Sequence, residues 1–141
     1  MTEAHSASEQ DKSFIEALEA FELAPGDFDH RAHLRMAYAY LCEHDATTTC
    51  CKIREALRGL LAHAGIEPST KYHETMTQAW VLAVRHFMAC TPTTKSAAEF
   101  LEANPELLDT RIMSTHYSRE ALFSNVARRS FVPPDRASIP T

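Results

Sequence analysis

The chain has 141 residues, a formal net charge of -5 and 45% hydrophobic residues. That is the size and apolar content of one domain with a buried core of its own. The negative balance argues against non-specific nucleic-acid binding, which rests on neutralising phosphates. Glycine occurs only 3 times, which disfavours a turn-rich sheet and leaves no glycine loop to cradle a phosphate.

No apolar run approaches membrane-spanning length. The first residues, MTEAHSASEQDK, contain no apolar signal core. Cys42, Cys50, Cys51 and Cys90 form no CxxC pair, and the adjacency of Cys50 and Cys51 suits neither a zinc clamp nor a disulfide. The expectation is a reduced, cytoplasmic protein.

Between the prolines the apolar spacing is helical, not alternating. Residues 1–11 are expected to be disordered. A first helix is predicted from Ser13 to Leu23, with Phe14, Leu18 and Phe21 on one face and Ala24-Pro25-Gly26 ending it. The second runs from Asp29 to His44, capped by Asp27 or Asp29, with Phe28 as a hydrophobic staple.

The third starts within Thr47-Thr48-Thr49, carries Ile53, Leu57, Leu60 and Leu61, and ends before Gly65 as the C′ residue. The fourth follows Pro68, capped by Ser69 or Thr70, and reaches Cys90. The fifth is short, opened by Ser96 and Glu99 as a capping box and stopped at Asn104-Pro105, with one more turn at Glu106 to Leu108. The last runs from Ser118 to Arg129, and the proline-rich segment after it should be extended, anchored by Phe131 and Val132. These elements predict an all-α, single-domain bundle of five or six helices over 12–130, with residues 131–141 as an extended tail packed on it.

Charge is uneven along the chain. Residues 111–141 carry five arginines against Glu120 and Asp135, a balance of +3 that leaves -8 for the rest. A basic last segment docked on an acidic body accounts for this, and so does a contact for a small anion.

The candidate site comes from the histidines. Residues of a helix advance by about 100° each. On the second helix His30 lies in the middle of the stripe formed by Leu34, Ala37 and Leu41, and His33 is about 60° to one side. On the fourth helix His73 lies about 50° from the centre of the stripe containing Met76, Ala79, Trp80 and Ala83. Glu74 points about 150° away from that centre, towards solvent or a neighbouring segment.

In an up-down bundle the second and fourth helices run parallel, so their N-terminal ends share a pole. His30, His33 and His73 can then converge as ligands of one divalent transition metal such as zinc, iron or copper. They can equally serve as acid/base groups, with Glu74 as a further candidate catalytic residue. Tyr72, Thr77 and Trp80 are candidate substrate contacts, and Arg119 a candidate contact for an anionic substrate. Cys50 and Cys51 are weaker nucleophile candidates near a helix start.

The expected function is a small His-based, metal-dependent enzyme, a hydrolase or oxidoreductase, acting on a small molecule. The alternative is a non-catalytic ligand-sensing or partner-binding module whose histidines are structural. Neither nucleic acid nor membrane is an expected partner.

The three-histidine plan is similar in outline, though not in spacing, to four-helix metal-dependent hydrolases of the damage-inducible type. The segments FDHRAHLRMAYAYL, YHETMTQAW and HYSREALFSNVARRSFVPPD resemble a family of small, uncharacterised bacterial helical proteins over roughly residues 14–135. That resemblance implies a compact, self-sufficient domain and assigns no residue a role.

Overall fold

The computed structural model describes residues 5–140, and within them there is helix but no strand. Five helices have seven or more residues: α1 (Glu9–Glu19), α2 (His30–Leu41), α3 (Ala46–His63), α4 (Glu74–Ala89) and α5 (Ala97–Ala103). Two short ones follow, α6 (Arg119–Leu122) and α7 (Asn125–Arg129). The chain is an all-α, single domain, as its periodicity predicts. None of the described helices is long and apolar enough to cross a membrane.

Helices α2, α3 and α4 pack on one another pairwise, and around them α1 packs on α2 and α3, α5 on α2, and α7 on α4. The core is built from the inward stripes of these helices, among them Leu34, Tyr38, Ile53, Leu60 and Val84. Just past α1, the Phe21 ring lies against the backbone of α3. A Cβ added at Gly59 would lie 2.4 Å from the Phe21 ring, so only glycine leaves that ring its place. Phe21 itself sits at φ 59°, where the chain turns out of α1.

The helix starts follow local capping chemistry. Asp29 caps α2 by accepting from the Ala32 N–H, Asp45 caps α3 through Thr48, and Ser96 caps α5 through Glu99. Phe28 sits at N′ of α2, and its ring meets the edge of His33 at N4, with centroids 4.6 Å apart. That is the staple geometry, with an imidazole in the apolar role. Gly65, past the end of α3, takes φ 79° as a C′ glycine does.

Three elements differ from the sequence expectation. First, residues 5–11 are ordered; Met1 to Ala4 lie outside the described residues. Ser8 and Asp11 form a reciprocal capping box that starts α1 at Glu9. Asp11 is 2% exposed. It also accepts from Arg35 Nε at 2.8 Å and from the Ala97 N–H at 2.9 Å, tying α1 to α2 and α5. Ahead of it, His5 bonds Thr94 and the Met88 carbonyl, and the Tyr38 hydroxyl donates to the Ser6 carbonyl at 2.8 Å.

Second, Pro68 to Thr70 form a 3-10 turn, and α4 begins later with His73 as its N-cap. Third, the last predicted helix is broken at Phe123 and Ser124. Ser124 accepts from the Ala127 N–H and so starts α7 afresh. The tail beyond α7 bonds to the body. Val132 exchanges bonds with Thr75 and Tyr117, and Asp135 accepts from the backbone and hydroxyl of Ser118. The deeper anchor is Ile139, 7% exposed, whereas Phe131 is 36% exposed.

Candidate functional site

A cavity of about 630 Å³ opens between α2, α3 and α4. His30, His33, His73, Tyr72, Thr77 and Trp80 all line it. Two distant stretches of chain therefore meet at one pole of the bundle. The walls are mostly apolar and include Met36, Ala37, Ile53, Leu57, Met76 and Val81.

Each histidine is held differently. His73 uses both ring nitrogens on the backbone. Nδ1 accepts from the Met76 N–H at 3.0 Å, as the cap of α4, so the ring proton sits on Nε2, which donates to the Leu122 carbonyl at 2.7 Å. Burial, followed by the charge of Arg128, pushes its pKa down, and the bond to Leu122 opposes this.

His30 donates Nε2–H to the Leu107 carbonyl at 2.9 Å, and its ring meets the edge of Trp80 at 4.6 Å between centroids. Its Nδ1 keeps a lone pair. His33 is mostly buried against Phe28. Burial, reinforced by His30 and opposed by Asp29, pulls its pKa from 6.5 to about 4. It is a neutral imidazole throughout the physiological range.

The three rings share a cavity without forming a coordination centre. Among the described residues no three His, Cys, Asp or Glu side chains group as a metal site. As bonded, His73 has no lone pair left for a metal. A metal in this cavity would have His30 Nδ1 and a nitrogen of His33, half of what a tetrahedral site needs.

Glu74 stands apart from the histidines. It does not line their cavity. It is 6% exposed, turned towards α3, and its carboxylate meets Arg54 through two bonds of 2.6 and 2.9 Å. The Tyr72 hydroxyl at 3.0 Å and the Gln78 amide at 2.6 Å complete its shell. Burial alone would raise this carboxyl, but the Arg54, Gln78 and Tyr72 bonds outweigh it and hold the group below its ordinary range. A carboxylate so saturated is an anchor between α3 and α4, not a base for the histidine site.

Arg119 is also placed elsewhere, exposed on the first turn of α6 and away from this cavity. Cys50 is buried and its thiol pushed up to about 11 by that burial, which removes it as a nucleophile at neutral pH. The residue that sequence reasoning missed is Arg54. Nothing local marks it, because its partner lies on the next long helix.

No family model, no curated protein and no solved structure matches this chain. Its function is therefore read from geometry.

Proposed function

We propose that this protein binds a small, uncharged and largely apolar molecule in the cavity between α2, α3 and α4. The observation that carries this is the cavity itself. A volume of about 630 Å³, with mainly apolar walls and a few converging polar groups, has the size and make-up of a small-molecule site. His33, Thr77 and the Nδ1 of His30 are available to orient a polar end of the ligand. The depression of His33 to about 4 marks an interior that disfavours charge, and a ligand pays the same desolvation cost.

Trp80 is the one tryptophan of the chain and lines this cavity, so it reports on occupancy. The test is energy transfer from Trp80 to the neutral dye N-phenylnaphthylamine. Saturable one-site binding is expected, and it should be lost when bulk is added to the wall by Ala37→Leu or, separately, Thr77→Ile. Absence of saturable binding, or binding untouched by both folded variants, would contradict the proposal.

Catalysis at the same site has one specific support. Among the described residues the His33 ring makes no hydrogen bond, and it stays neutral, as a general base must. On that reading His33→Gln abolishes turnover of the bound molecule while dye binding stays saturable, so the loss falls on kcat far more than on affinity. A zinc, iron or copper site would use His30 and His33 and would draw in His73 only at the expense of its bond to Met76 or Leu122. Added metal should therefore leave the melting temperature unchanged. Four unpaired cysteines support a reducing compartment such as the cytoplasm.

A further inference from the structure

A second cavity, of about 360 Å³, shares Tyr72 with the larger one. Its lining is the reverse in character. Arg54 and Arg58 reach it from α3, and Arg128 and Arg129 from α7. Glu74 cancels only Arg54, by the two bonds already described.

The other three guanidinium groups have no carboxylate within salt-bridge distance among the described residues. Arg58 is exposed and lies over the Tyr72 ring at 5.9 Å. Arg129 reaches only the Asn125 carbonyl, at 3.3 Å. Arg128 donates from a terminal nitrogen to the Thr70 carbonyl at 2.8 Å, and its Nε is buried with no acceptor among the described residues. A buried donor without a partner is costly, and a charged one more so. Three uncompensated cations around one cavity are also at odds with a chain of net charge -5.

We propose that this cavity binds phosphate, either free or as the monoester of a small molecule, through Arg58, Arg128 and Arg129. The charge count selects the ligand. A carboxylate brings one negative charge, whereas a phosphate monoester carries close to two near neutral pH and three acceptor oxygens. Guanidinium forks match those oxygens in pairs. Tyr72 and Phe131 also line the cavity and give an organic body something apolar to lie on. The proposal does not rest on the reading of the apolar cavity, although the two cavities share Tyr72.

The test is calorimetric titration of the full chain with sodium phosphate and with glycerol phosphate, against sodium chloride at matched ionic strength. Saturable one-site binding is expected. Arg58→Gln alters an exposed side chain and keeps the fold, and it should weaken binding roughly tenfold or more. Arg128→Gln should do the same. Arg31→Gln removes an equal charge from an exposed position on α2 and should change nothing. Tighter binding of glycerol phosphate assigns a phosphomonoester, and equal or tighter binding of inorganic phosphate assigns the free ion. No saturable binding of either, or an equal loss in Arg31→Gln, overturns the proposal. Should Arg128→Gln fail to fold, Arg58→Gln still decides.

Discussion

The two cavities lie on either side of Tyr72 in chemistry as well as in lining. The larger holds three imidazoles, and the smaller is ringed by four guanidinium groups with one carboxylate. Where such a group is buried it faces one problem, since a charge taken out of water must find compensation. This holds for His33 and for the Arg128 Nε, whereas Arg58 and Arg129 keep contact with solvent. Histidine solves it by giving up its proton: His33 stays neutral down to about pH 4. Arginine cannot do so in a protein. Hence Arg54 has an internal counter-ion, while Arg58, Arg128 and Arg129 await one from outside. Burial thus leaves His33 neutral in a mostly apolar cavity whose one cationic lining residue, among those described, is the exposed Lys71, and it leaves the Arg128 Nε short of an acceptor in the other.

Removing the internal counter-ion should break this contrast most severely. Glu74→Ala leaves Arg54 uncompensated between α3 and α4 and also strips partners from Tyr72 and Gln78. We expect a loss on the order of 3 kcal/mol in urea unfolding, below that of a fully buried pair because the Arg54 side chain is 37% exposed. A change under about 0.5 kcal/mol would show that the pair is ornamental.

The second prediction concerns pH. His33 has a folded pKa of about 4 against an ordinary 6.5, so the fold favours its neutral form. Its contribution is complete above pH 6.5 and is lost as pH falls towards 4. The loss should be on the order of 2 kcal/mol. His73, also pushed down, adds to it with the same sign. Asp11 and Glu74, held below their ordinary 3.8 and 4.5, give up their stabilisation only at lower pH. Between pH 6 and 5 the slope therefore belongs to the histidines, and His33→Phe should flatten most of it. An unchanged slope in that variant would contradict the assignment.

The smallest effect tests the shared wall. Tyr72→Phe keeps the ring between the cavities and deletes one bond to Glu74. A cost of about 1 kcal/mol is expected, with dye binding unaltered.

Much of this was legible in the sequence, and for identifiable reasons. Helical periodicity converts position into direction and so gave the faces of His30, His33 and His73; their meeting in one cavity rested in addition on assuming an up-down bundle. Asp29, Ser96 and Gly65 carry ordinary cap chemistry: Asp29 is the cap of the two acidic candidates, Gly65 takes the C′ place, and of the Ser96–Glu99 box only the Ser96 half forms. The capping box of Ser8 and Asp11 carries the same kind of signal, which outweighs the polar composition that suggests disorder. The break before α7 has only Ser124 to mark it.

Other features were not legible. An imidazole as N-cap has no sequence signature, and this cap is what occupies the second nitrogen of His73. The burial of Glu74 depends on Arg54, 20 residues earlier on another helix, and no local pattern pairs them. The arginines at 128 and 129 read as a basic end of the chain. Only packing α7 on α4 sets them around a cavity with Arg58.

The most direct test is one calorimetric experiment on four proteins. Wild type, Ala37→Leu, Arg58→Gln and Arg31→Gln are each titrated with the neutral dye and with phosphate. The dye should be lost only in Ala37→Leu, and phosphate only in Arg58→Gln. If either substitution weakens both ligands alike, or neither weakens any, the division of the molecule into a neutral site and an anion site is wrong.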